Sequence, residues 1–286
     1  MKYNRIIPRL DIKGPNLVKG IHLEGLRVLG KPEDFAKLYY EQGADELIYQ
    51  DTVASLYQRN SLEDIITKTA KNIFIPITVG GGVRNLDEIN RVLRAGADKV
   101  SINTAAVKEP DFINKASRIF GSSTIVISIE SVKQPDGTYL AYTDNGREFT
   151  GVDVVQWAKE VEKRGAGEIL LTSIDQEGTG NGFDEALIEK VSDCVDIPII
   201  AHGGGGNVGH IYNAISRSGA DAISVASMIH YTAINKKKIK INFSNNDEGN
   251  RSFLTKKKSF KMFGEDSIEN IKSQLNKKGI SLRFVD

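Results

Sequence analysis

The feature that most constrains this chain is a repeat at half its length. The segment IPITVGGG, Ile75 to Gly82, returns as IPIIAHGG from Ile197 to Gly204, and Gly43-Ala44-Asp45 returns as Gly165-Ala166-Gly167, each 122 residues later. Gly96-Ala97-Asp98 returns as Gly219-Ala220-Asp221 at almost the same spacing. Such self-similarity marks a chain built from two like halves. Within each half, short apolar runs alternate with amphipathic stretches of helical length, the βα pattern. The runs Arg5 to Asp11, Glu46 to Asp51, Ile75 to Val79 and Lys99 to Asn103 predict four strands. Thr124 to Glu130, Glu168 to Asp175, Ile197 to Ala201 and Ala222 to Ala226 predict four more. Their near-continuous apolar character is that of parallel strands buried on both faces. An open doubly wound sheet does not call for a half-chain repeat, so the pattern predicts an α/β fold, a (βα)8 TIM barrel made of two similar half-barrels. With 286 residues, 40% of them hydrophobic, one domain over 1–286 is expected.

Chemistry in such barrels sits at the C-terminal ends of the strands. Gly80-Gly81-Gly82 follows the third strand and Gly203-Gly204-Gly205-Gly206 the seventh, where bare backbone amides can approach a phosphate. Asn103-Thr104 and Ala226-Ser227, after the fourth and eighth strands, would complete one cradle in each half. A glycine cluster can equally serve a tight βα turn. Duplication at matched places favours two anion sites gripping opposite ends of an elongated, doubly phosphorylated molecule. Carboxylates also end strands: Asp11, Asp51, Glu130 and, beyond the sixth, Asp175 and Glu177. Asp11 and Glu130 occupy equivalent places in the two halves and can serve as an acid–base pair if their surroundings push their pKa values apart. Any one of them can instead cap a loop or helix. At the opposite face Arg5, Glu46, Lys99 and Glu168 each precede an apolar run. They form either a closed ring of ion pairs around the axis or four separate solvated charges.

A net charge of +1 offers no global field for nucleic acid or membrane, and neither is expected as a partner. The single cysteine, Cys194, fits a reducing compartment and leaves no thiolate metal site; no metal is expected. With no signal-peptide core and no apolar stretch of about 18 residues, a soluble cytoplasmic protein is expected. Residues 236 to 262 hold nine basic side chains against two acidic ones. This predicts a Lys-rich surface insertion at about 233–265, before the last helix.

These residues together resemble the cyclase subunits of imidazole glycerol phosphate synthase, the ammonia-using half of a glutamine amidotransferase in histidine biosynthesis. The resemblance is carried by Arg5-Ile6-Ile7 through Lys13, Leu17 to Gly20, Thr78 to Gly82, Gly96 to Ala106 and EVEKRGAGEILLTSID from Glu160 to Asp175. It implies a heterodimer with a glutaminase subunit docked at the barrel bottom, and no cofactor. Ammonia would pass a gate formed by Arg5, Glu46, Lys99 and Glu168 and rise along the axis. The implied substrate is a formimino-linked aminoimidazole carboxamide ribonucleotide with a phosphate at each end, converted to imidazole glycerol phosphate and the aminoimidazole ribonucleotide. Asp11 would be acid and base in the early steps and Glu130 its partner in ring closure. Lys19 would lie on a loop that closes over substrate, with Asp51, Gly81, Gly82, Asn103 and Thr104 on one side of the mouth. On the other side would stand Thr172, Asp175, Glu177, Gly178, His202, Gly203, Gly204, Ala226 and Ser227.

The chain departs from the family pattern at several of these places. The family has aspartate at positions 130 and 177, a small serine at 202 and a neutral residue at 9, where this chain has Glu130, Glu177, His202 and Arg9. Misplacing a reacting group by about 1 Å can cost about 10²-fold. Related barrels in surface-polysaccharide pathways pair with a glutaminase to feed ammonia to a sugar amidotransferase, and a drifted mouth above an intact gate is also what that role would leave. A noncatalytic scaffold for the glutaminase is a third alternative.

Overall fold

A computed structural model describes residues 3–53, 62–239 and 263–284. Eight parallel strands close on themselves in the order β1 (Arg5–Lys13), β4 (Leu47–Asp51), β5 (Ile77–Gly80), β6 (Lys99–Ile102), β7 (Ile125–Lys133), β10 (Glu168–Ser173), β11 (Ile199–His202) and β12 (Ala222–Val225). Register pairs β12 back to β1 through Arg5 and Ala222, and β7 to β10 through Thr172 and Glu130, so the eight-stranded barrel has no free edge. Because side chains alternate along a strand, one set faces the helices and the other the lumen. Ile7, Ile48, Val126, Leu170, Ile200 and Ala222 form a buried apolar ring, separate from the larger core beneath the helices.

The repeated motifs have a mechanical meaning. Asp45, Asp98 and Asp221 each accept the backbone N–H of a neighbouring strand's first residues, at Ile6, Ile77 and Ile199, over 2.8 to 2.9 Å. The Gly-Ala-Asp signature thereby pins the bottom of one strand to the next. Gly167 holds the fourth such place; a Cβ there would lie 2.1 Å from the Ser122 carbonyl, which leaves no room for a side chain. Asn85 and Asn207 cap equivalent helices, Leu86–Arg94 and Val208–Ser216, by accepting from Glu88 and His210 amides.

Strand boundaries differ from the expected ones for definite reasons. The third and seventh strands begin at Ile77 and Ile199 rather than Ile75 and Ile197, because Pro76 and Pro198 have no N–H to give a ladder. The first and fifth run past Asp11 and Glu130 to Lys13 and Lys133, where each turns into an antiparallel hairpin. These hairpins are β2 (Asn16–Ile21) with β3 (Glu24–Gly30), and β8 (Tyr139–Thr143) with β9 (Glu148–Asp153). The sequence reading had none of these four strands. Of the expected Lys-rich insertion, Ala233 to Asn235 finish the helix Ser227–Asn235, and most of the remainder, 240–262, lies outside the described residues. Phe263 comes back against Tyr231, ring centroids 5.5 Å apart. Among the described residues no helix is long and apolar enough to cross a membrane.

Candidate active site and axial passage

At the N-terminal end of the barrel, Arg5 lies 2.6 Å from Glu46 and 2.8 Å from Glu168, while Lys99 lies 3.0 Å from each of the same carboxylates. The four charges close a ring, each cation bridging both anions; the alternative of separate solvated charges does not hold. Burial alone would lower the Arg5 pKa, but Glu46 and Glu168 outweigh it and raise it.

At the other end the two halves differ. On the first side Gly81, Gly82, Asn103 and Thr104 line a cavity of about 380 Å³ together with Gln50, Asp51, Ser128, Glu130 and Asp144. Gly81 adopts φ +92°, and a Cβ there would lie 2.2 Å from the Asp51 carbonyl, so glycine is required by both conformation and space. Asn103 and Thr104 are also tied to the β8–β9 hairpin: Asn103 Nδ2 donates to the Tyr142 carbonyl at 3.0 Å, and Thr104 Oγ1 accepts from the Asp144 amide at 3.2 Å.

On the second side Gly178, Gly203, Gly204, Ala226 and Ser227 come together as expected, but the space they share with Glu177, His202 and Phe263 is only about 10 Å³. That is near the minimum for one water molecule. The imidazole of His202, 5% exposed, stands at the mouth of this cradle, where a serine would leave room. Gly204 at φ +99° packs so closely that a Cβ would meet the Gly182 carbonyl at 1.9 Å.

Between the two sides lies a buried ion network. Asp11 receives Arg9 Nε on one oxygen at 2.8 Å and Lys19 Nζ on the other at 2.7 Å, and Lys19 also pairs with Glu177. Burial would push the Asp11 carboxyl up, but Arg9 and Lys19 overcome it and hold the carboxyl well below the usual carboxylate range. Glu130 has the opposite balance. Burial dominates, Arg9 and the Gly146 N–H (2.8 Å) oppose it only in part, and its carboxyl is pushed up to about 7. Two carboxyls at equivalent places thus have separated affinities for a proton, as a base and an acid require. Behind the first strand, His230 Nε2 donates to the Arg9 carbonyl at 3.0 Å and its Nδ1 accepts from Tyr39 at 2.6 Å; burial lowers its pKa to about 3.

Thr172 lies in this network, 3.5 Å from Arg9 Nη1 and level with Glu130 and His202. Asp175 does not. The sixth strand ends at Ser173, and exposed Asp175 accepts the Lys133 amide at 2.8 Å beside a shallow outer groove, away from both cradles. Asp144, at the tip of the second hairpin, was missed because that hairpin was not foreseen.

Fold and mouth together define an enzyme of the (βα)8 class, with a glycine-lined cavity and a separated carboxyl pair at the C-terminal ends of its strands. Comparison with known proteins narrows the class. A family model described as "Histidine biosynthesis protein" matches residues 5–235. The imidazole glycerol phosphate synthase subunit HisF of Legionella pneumophila is 62% identical over 204 residues, covering 71% of this chain and 96% of that protein. The same-named subunit of Trichormus variabilis is 45% identical over 243 residues, covering 84% of this chain and 95% of that protein. The chain belongs to this histidine-biosynthesis family.

Proposed function

We propose that this chain is the ammonia-dependent cyclase subunit of imidazole glycerol phosphate synthase, acting in the cytoplasm on a doubly phosphorylated formimino-linked ribonucleotide. The observation that carries the reading is the order of features along the barrel axis: an ion ring at its lower end, an apolar ring above it, and the Asp11–Glu130 pair at the top. A glutaminase subunit docks beneath Arg5, Glu46, Lys99 and Glu168 and releases ammonia into that axis. Ammonia adds to the ribulose carbonyl, the formimino link is cleaved, and ring closure gives imidazole glycerol phosphate with release of the aminoimidazole ribonucleotide.

Asp11, held as an anion, takes the proton that ammonia sheds on addition. Glu130, about half protonated near neutrality, returns a proton to the departing nitrogen. One phosphate rests on Gly81, Gly82, Asn103 and Thr104. The other enters the Gly203–Gly204 cradle when Lys19 exchanges Glu177 for phosphate and the cradle opens around His202. The test is direct: purified protein, ammonium at alkaline pH and the ribonucleotide are mixed, and loss of the ribonucleotide is followed. Absence of turnover overturns the reading.

A second reading is favoured by one specific observation, the second cradle with only about 10 Å³ to spare beside a fully paired Asp11. In that reading the barrel passes ammonia on to a sugar amidotransferase in surface-polysaccharide synthesis. It keeps the glutaminase partner and predicts no turnover in the same assay.

A further inference from the structure

Two residues along each strand from the apolar ring stands a second ring: Arg9, Gln50, Ser128, Thr172, His202 and Ser224. The two-residue period of a strand places it directly above the first, with Arg9 one step below Asp11 on β1 and Ser128 one step below Glu130 on β7. Arg9 is rooted on β1, fully buried, and its Nη1 reaches toward Thr172 on β10, so the guanidinium lies across the lumen. Its Nε is taken by Asp11, but Nη2 has no hydrogen-bond partner. His202 is in the complementary condition. Its Nδ1 sits 3.2 Å from the Ser224 carbonyl and so carries the proton, leaving on Nε2, 4.0 Å from the Glu177 carboxylate, a buried lone pair with no donor. Burial, reinforced by Arg9 and Lys19, keeps this imidazole neutral.

Buried polar groups are almost always paired, and Arg9 reaches to Thr172, the register partner of His202, so one unmet donor and one unmet acceptor in the same part of the lumen make a binding specification. A phosphate dianion does not meet it, because His202 would present a lone pair to an anion. Ammonium does not meet it either, having no lone pair for Arg9. Neutral ammonia has one lone pair and three N–H bonds.

We propose that Arg9 and His202 hold one molecule of ammonia in the barrel lumen, beneath Asp11, with Arg9 Nη2 donating to its nitrogen and its N–H donating to His202 Nε2. The guanidinium alongside also disfavours protonation of the bound molecule, keeping it nucleophilic. This rests on the ammonia-using function above, in either of its readings.

The experiment is a titration of the whole protein, labelled with ¹⁵N-histidine, with ammonium chloride at alkaline pH against sodium chloride of equal ionic strength. The His202 Nε2 resonance, assigned by its loss in His202→Gln, is expected to shift saturably with ammonia alone, and the shift is expected to vanish in Arg9→Met. A resonance indifferent to ammonia means that water alone serves these atoms and overturns the proposal; so does an unaltered response in Arg9→Met. If that variant fails to fold, the wild-type titration decides. In turnover, Arg9→Met, which also removes a partner of Asp11, is expected to raise the KM for ammonia about tenfold more than the KM for the phosphorylated substrate. An equal rise in both would overturn the assignment. Should the protein turn over no ribonucleotide, the cyclase reading fails while the titration still judges the ammonia site.

Discussion

Glu130 gives the most quantitative test of the site. Its carboxyl is 3% exposed, and burial raises its pKa from an ordinary 4.5 to about 7. The native state therefore binds this proton more tightly than the unfolded chain does. The stability it contributes is complete below the unfolded value and is lost as pH climbs through the native one. The interval corresponds to about 3 kcal/mol. Glu130→Gln keeps the shape and the acceptor for the Gly146 amide but cannot ionise. Urea unfolding of both proteins at about pH 5 and about pH 8 should show the wild type losing about 2 to 3 kcal/mol relative to the variant across that range. The same substitution should reduce cyclase turnover by about 10² to 10⁴ through loss of the proton donor. Parallel pH dependence of the two stabilities would mean that the carboxyl is not raised, and the acid role would go with it.

Asp11→Asn should abolish turnover, and surviving activity would refute its role as base. Lys19→Met leaves Asp11 with Arg9 alone and Glu177 with no cation bonded to it, so urea unfolding should show a loss of about 3 to 5 kcal/mol; a change below about 1 kcal/mol would mean that the lysine is held loosely. Arg5→Met breaks two of the four bridges in the lower ring and should depress glutamine-driven turnover in the complex far more than turnover with added ammonium. Equal loss in both assays would argue against a gate. Gly204→Ala forces a methyl against the Gly182 carbonyl in a left-handed backbone and should destabilise the chain, whereas Gly43→Ala, also at positive φ but with nothing within 4 Å, should cost about 1 kcal/mol; indistinguishable melting of the two would deny that the second cradle is tightly packed.

The barrel was legible because its signal is periodic and duplicated: Ile75 to Gly82 against Ile197 to Gly204 locates two strands and two turns at once. The lower charges were legible as positions, but whether Arg5, Glu46, Lys99 and Glu168 touched depended on barrel closure, which no local pattern encodes. The two hairpins escaped because β1 and β7 continue without a break past Asp11 and Glu130, hiding a change from parallel to antiparallel pairing inside one apolar run. Asp175 reads like its neighbour Glu177, yet the end of β10 at Ser173 sends one outward and the other into the ion network. The position of Arg9 was conspicuous beside Asp11. That it bridges the lumen follows only from counting in twos from Ile7 around a closed sheet.

The lower ring draws unequally on the duplicated halves. Arg5, Glu46 and Lys99 belong to the first and only Glu168 to the second. A first half standing alone would carry two cations around one anion, a surplus that burial penalises, and the second half would bring an uncompensated negative charge. Each fragment is thus electrically incomplete in a way that the other, and not a second copy of itself, can mend. Two halves alike in pattern are thus made to recognise each other by their charges.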